Sequence, residues 1–208
     1  MSPPGPRTLT APRSSRSRET VAWVAAAEAI LQRDNLNGLI GLELAENVPG
    51  DQRATQIDLR EGEDPSRYAA LVSEEQSVAD VIHVRDGDAG SALTLQRNVR
   101  SFFQGNRFLL ERLIRQVVAL VPAGPVVDLY AGVGLFGLWL AAAGAEQVTL
   151  VEGDGASGAD LIANATPFLD RVEVHRASVE QFLSSVADAW RDATCIVDPP
   201  RTGMSNEA

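Results

Sequence analysis

The stretch Val126-Val127-Asp128-Leu129-Tyr130-Ala131-Gly132-Val133-Gly134-Leu135-Phe136-Gly137 decides how this chain folds. It reads as a short apolar strand closed by an acid, then a glycine loop, then the start of a helix, LFGLWLAAAG, for which Gly144 is the expected C-cap. Three more short apolar runs follow it: QVTLVE, RVEVH and ATCIVD, separated by segments of helical period. One of those segments, ASVEQFLSSVADAW, opens with Ser178 and carries Gln181 three residues later, the spacing of a capping box. Strand alternating with helix predicts an α/β fold, a parallel sheet with helices on its faces.

Upstream of this unit, RFLLERLIRQVVALV places Leu110, Leu113, Ile114, Val117, Val118 and Val121 on one helical stripe, capped by Asn106 and stopped by Pro122. Arg18 to Arg33 also reads as a helix, with Val21, Val24, Ala25, Glu28 and Leu31 near one face. Residues 39–46 (LIGLELAE) alternate, with Ile40, Leu42 and Leu44 on one side, and Pro49-Gly50 leads to a second alternating run, QRATQIDL. A hairpin is expected there. Arg60 to Glu75 is polar, and a further strand, VADVIHVR, precedes the turn Asp86-Gly87-Asp88. There is no internal repeat. These elements divide the chain into a disordered tail over residues 1–18, a small α+β module over 19–100, and the α/β domain over 101–208.

Composition narrows the function classes. With 208 residues, 45% of them hydrophobic, the chain can bury a core, and no apolar run reaches the roughly 18 residues that span a bilayer. The opening MSPPGPRTLTAPRSSRSRE lacks the apolar centre of a secretory signal, so a cytoplasmic protein is expected. The single cysteine, Cys195, excludes an internal disulfide and a four-cysteine iron-sulfur cluster, and His83 and His175 are isolated, so no metal is expected. A formal charge of -10 argues against coating nucleic acid by bulk electrostatics, though not against an enzyme that acts on RNA.

Three of the strand ends carry acids: Asp128, Glu152 and Asp198. Strands of a parallel sheet deliver ligand contacts at their carboxyl ends. The spacing Gly132-x-Gly134-x-x-Gly137, with Glu152 about twenty residues on, satisfies the dinucleotide fingerprint and taken alone suggests NAD. S-adenosylmethionine is the alternative. Its ribose also needs a carboxylate, but it has no pyrophosphate and carries a cationic sulfonium and ammonium, which the acids at the cleft suit better.

In this order and at this spacing, SFFQGN, VDLYAGVGLFG, LVEGD, ADLIANA and VDPPRTGM resemble the RNA (uracil-5-)-methyltransferases that modify ribosomal or transfer RNA. The likeness covers Ser101 to Met204 and implies the first half of a Rossmann-like class I methyltransferase sheet, preceded here by the small α+β module. It implies S-adenosyl-L-methionine as cofactor and RNA, ribosomal or transfer, as substrate. Carried over by position, Gln104 would touch the cofactor from the linker, Tyr130 would lie along its nucleoside or methionine part, Glu152 would bind the ribose, and Asp198 would close the site near the reactive methyl group. Each also has a purely structural use, Gln104 and Asp198 as caps, Tyr130 as a strand-end aromatic and Glu152 as a turn residue. Ser178 is explained by capping alone, and Arg201 suits either a pyrimidine carbonyl, a phosphate or an ion pair across its turn.

The resemblance further implies a cysteine thiolate that adds to uracil C6 and a base that removes the C5 proton. Cys195 is expected to be structural, packed inside an apolar strand, and the nucleophile and base are expected beyond Ala208, with four of seven strands present. The chain therefore reads as a C-terminally truncated member without catalytic residues of its own. An NAD-dependent oxidoreductase and a non-catalytic cofactor-binding remnant are the competing readings.

Overall fold

A computed structural model describes residues 12–33, 36–86, 89–185, 190, 192–200 and 203–204 of the chain. All four expected strands of the α/β unit form: β5 (Val126–Leu129), β6 (Val148–Val151), β7 (Val172–His175) and β8 (Thr194–Val197). They make one parallel sheet in the order β7-β6-β5-β8. The chain steps outward from β5 to β7 and then crosses back to the other side of β5. That reversal puts a crevice at the carboxyl ends of β5 and β8, where ligands of open α/β sheets bind.

Both faces of the central strands are covered, which is why β5 and β6 are buried at every position and read as unbroken apolar runs. On one face Leu110 and Ile114 of α2 (Leu110–Leu120), Leu138 and Trp139 of α3 (Gly137–Ala142) and Leu161 of α4 (Gly155–Ala165) pack on Val148 and Leu150. On the other, Val179 and Phe182 of α5 (Val179–Ser185) cover Val127, Leu129 and Val151. The expected punctuation is present. Gly144 has φ +103°, its N–H donates to Ala141, and Ala145 N–H donates to Leu140, so α3 ends in a Schellman motif. Gln181 N–H donates to Ser178 Oγ at 3.2 Å while Ser178 N–H donates to Gln181 Oε1 at 3.3 Å, completing the capping box.

Ahead of the sheet, α1 (Pro12–Arg33) leads into β1 (Leu39–Glu46), which pairs antiparallel with β2 (Arg53–Leu59). Asn47 builds the turn between them, its buried Oδ1 accepting the N–H groups of Gly50, Asp51 and Gln52. A second hairpin joins β3 (Ser77–Asp86) to β4 (Ala89–Asn98). A buried ion pair inside the second hairpin, Arg97 Nε donating to Asp80 Oδ2 at 2.8 Å, is tied to the first hairpin by the Val48 N–H, which donates to Asp80 Oδ1 at 2.7 Å. Such a pair is tolerable in the interior only because its remaining groups are also bonded, and Arg97 Nη2 donates to the Glu46 carbonyl.

Several local expectations give way to tertiary context. The helix α1 begins at Pro12, and residues 1–11 of the expected tail lie outside the described residues. Its inward face is Ala27, Ile30 and Leu31, with Trp23 against the Arg53 guanidinium, while Val21 and Val24 face water. The hairpin module, not the helix's own weak periodicity, chose that face. In β1 a register irregularity between Leu39 and Gly41 turns Ile40 outward, leaving Leu39 and Leu42 in the core. The polar segment Arg60 to Glu75 contains a 3-10 helix, Pro65–Leu71, capped by Asp64 and anchored by the buried Tyr68 and Leu71. Helix α2 starts at Leu110 rather than next to Asn106, whose side chain instead accepts the Phe108 N–H in a preceding turn, and Leu113 is exposed.

Candidate functional site at the carboxyl ends of the strands

The glycine loop after β5 is a sharp, left-handed excursion: Tyr130, Gly132 and Gly134 have φ of +61°, +57° and +98°. A Cβ at Gly132 would meet nothing within 4 Å, so this glycine opens onto free space, whereas one at Gly134 would strike Leu138 and Leu161. Gly132 thus borders the cleft and Gly134 serves packing.

Around this loop the structure brings the four sequence-predicted residues together. Gln104, Tyr130 and Asp198 line one cleft with Phe102 and Gly132. Gln104 Nε2 donates to Asp198 Oδ2 at 2.9 Å, linking the segment before α2 to the end of β8. Glu152, just past β6, accepts the Gly132 N–H at Oε2 (2.7 Å) and the Asp154 N–H at Oε1 (2.6 Å). Two backbone donors therefore fix its carboxylate beside the glycine loop. Tyr130 is half-buried, and burial followed by the charge of Glu180 pushes its phenol up from the ordinary value. Arg201 lies outside the described residues.

Asp128 stands behind these four residues. Its side chain lies on the face of Leu150 and Ile196 and is 1% exposed. One oxygen accepts the Gly137 N–H at 2.9 Å, and the other, Oδ1, is buried without a hydrogen-bond partner. Burial first, with the charges of Asp198 and Glu152 adding to it against the Gly137 hydrogen bond, pushes its pKa up to about 7. The strand-end acid was visible in the sequence, but its burial and orphan oxygen come only from packing.

The charge around the cleft is acidic, from Glu152, Asp198 and the Asp128 behind them. A positive group in the cleft would be favoured by these charges. A pyrophosphate fits poorly, because the N-terminal N–H of α3 that would bind it is already taken by the Asp128 carboxylate. A larger cavity of about 540 Å³ opens at the opposite end of the sheet, among Val121, Pro122, Ala143 and Glu146, but no set of acids converges on it. Among the described residues no group of three or more His, Cys, Asp or Glu side chains could hold a metal ion, and no helix is long and apolar enough to cross a membrane.

Cys195 corrects the expectation of a packed strand residue. It is exposed, because β8 lies at the sheet edge and α5 does not reach over it. Exposure does not make it a nucleophile, since partial burial and then Asp128 push its thiol up, away from the thiolate.

No family model matches the chain. The tRNA (uracil(54)-C(5))-methyltransferase of Pyrococcus furiosus is 36% identical over 106 residues, covering 50% of this chain and 24% of the relative. An uncharacterized RNA methyltransferase of Bacillus cereus is 33% identical over 120 residues, covering 55% of this chain and 26% of the relative. Among solved structures, the Pyrococcus abyssi tRNA (uracil-54, C5)-methyltransferase in complex with S-adenosyl-L-homocysteine shares the fold, with a TM-score of 0.54 at 23% identity over 79% of this chain and 44% of that one. The chain spans about a quarter of the length of the curated relatives it matches. About half of this chain is thus similar in sequence to RNA methyltransferases, among them a tRNA (uracil(54)-C(5))-methyltransferase, and the chain shares the fold of a second such enzyme.

Proposed function

We propose that residues 101–208 form the cofactor-binding part of an S-adenosylmethionine-dependent RNA methyltransferase of the cytoplasm, the parent activity being methylation of C5 of uridine in ribosomal or transfer RNA. The observation that carries the cofactor assignment is the pair of strand-end acids at the glycine loop, Glu152 held by the Gly132 N–H and Asp198 on the cleft wall, an acidic surround that suits a sulfonium and an ammonium group. Glu152, oriented by Gly132 and Asp154, offers its carboxylate to the ribose hydroxyls, and Gln104 and Asp198 close the cleft from the opposite wall. Tyr130 borders the nucleoside or methionine portion. The cofactor supplies the methyl group. The RNA uracil must be unstacked to reach it.

Carbon C5 of uracil needs activation by a thiolate at C6, and the one cysteine of this sequence is on the sheet edge with its pKa raised. Cys195 is therefore not proposed as that thiolate. Isothermal titration calorimetry with S-adenosylhomocysteine and with NADH tests the reading. S-adenosylhomocysteine is expected to bind, NADH is not, and Glu152→Ala is expected to weaken S-adenosylhomocysteine by about 10-fold through loss of charge-assisted hydrogen bonds. Binding of NADH instead, or indifference to Glu152→Ala, rejects it.

A further inference from the structure

One helix touches both walls of the cleft. Asp160 and Asn164 lie one turn apart on the inner face of α4, where i and i+4 side chains are neighbours. Asn164 is buried and fully used. Its Oδ1 accepts the Gln96 N–H at 2.8 Å, and its Nδ2 donates to the Gln96 carbonyl at 2.9 Å and to the Val133 carbonyl at 3.0 Å. Asp160 Oδ2 accepts the Asn98 N–H at 2.7 Å and the Ser101 hydroxyl at 2.6 Å. Gln96 and Asn98 end β4 and lead into the linker, and Val133 sits between the two left-handed glycines of the loop.

The same linker is gripped from its other side. Arg97, locked to Asp80, lies 4.8 Å from the Phe103 ring centroid, next to the Gln104 that reaches Asp198. The chain from Asn98 to Gln104 therefore has few free torsions left, and α4 sets its separation from the glycine loop.

We propose that Asn164 and Asp160 are positioning residues for the cofactor cleft, fixing the gap between the linker that presents Gln104 and the loop whose Gly132 N–H orients Glu152. This rests on the cofactor reading above. Replacing Asn164 by alanine leaves the Gln96 and Val133 groups without partners and frees the two walls to move apart. Asp160→Ala releases Ser101 and the Asn98 N–H, whereas Asp160→Asn keeps an accepting oxygen.

The test is calorimetric titration of the 208-residue chain with S-adenosylhomocysteine, alongside thermal melts. Asn164→Ala is expected to weaken binding about 10-fold, equivalent to about 1.4 kcal/mol, and Asp160→Ala to weaken it about threefold, with Asp160→Asn restoring most of the loss. A core variant in α2, Ile114→Ala, is expected to lower the melting temperature at least as much and keep the affinity. Because Asn164 acts through the placement of Gln104, the double variant Asn164→Ala/Gln104→Ala should lose less than the sum of the two single losses. Clamp variants that melt earlier yet bind within about twofold of the parent, or additive losses in the double variant, overturn the proposal while leaving the cofactor reading intact. Failure of the unsubstituted chain to bind S-adenosylhomocysteine refutes the cofactor reading itself, and the clamp with it.

Discussion

Strands β5 and β8 lie side by side in the same sheet, in register, yet they live in different environments. Val127 pairs with Cys195 and Leu129 with Val197, so each pair points to the same face. Val127 and Leu129 are 2% and 3% exposed beneath α5, while Cys195 is exposed and Val197 is 43% exposed. The amino acids of the two runs are equally apolar. What differs, among the described residues, is whether a helix lies over them, and that places the tightest packing at the centre of the sheet.

The contrast breaks most visibly on truncating its two members. Leu129→Ala should destabilise the fold by about 3 kcal/mol, the transfer loss plus the cavity left under α5, read as a lower urea midpoint at unchanged slope. Val197→Ala, on the same face one strand over, should cost only about 1 kcal/mol, because 43% of that residue stays in water on folding. Equal losses at the two positions would show that β8 is covered as well as β5.

A second probe sharpens the electrostatic side. The folded state holds the Asp128 proton more tightly than the unfolded chain, with a pKa of about 7 against an ordinary 3.8. Its stabilising contribution is therefore complete below the ordinary carboxylate range and is lost as pH rises through about 7. Asp128→Asn should flatten this slope and make the chain about 2 kcal/mol more stable than the parent at pH 8, while weakening S-adenosylhomocysteine binding. Melting curves across pH 5 to about pH 8.5 measure it, and a slope unchanged by the substitution would mean that another group titrates.

The smallest expected effect lies at the edge. Cys195→Ser should change stability by under about 0.5 kcal/mol, since the side chain is solvent-facing. The native thiol should react with a disulfide reagent without unfolding, at a rate below that of a free thiol at pH 7 because burial and Asp128 disfavour the thiolate. Reaction only under denaturing conditions would place Cys195 in the core after all.

Much of this architecture was legible in one dimension. The four short apolar runs, the glycine loop, the Gly144 stop and the Ser178 capping box rest on signals carried within a few residues, and the structure shows each of them. The acids at the strand ends could also be read, because a parallel sheet puts every such residue at one rim. Where the sequence misled, the deciding partner lay far along the chain. The buried face of α1 was set by the hairpin packed beneath it, and the fate of Ile40 by a register shift against β2. Tyr68 was hidden in a polar segment because its burial depends on α1 and β2.

The sequence by itself determined the alternation of strand and helix and the position of the glycine loop, since hydrophobic period, glycine and capping residues act locally. Only the tertiary structure decided that Asp128 keeps an unpartnered oxygen out of water, that Cys195 faces solvent, and that Asn164 ties Gln96 to Val133. Desolvation and hydrogen-bond closure depend on which distant segments meet, and no spacing along the chain records that.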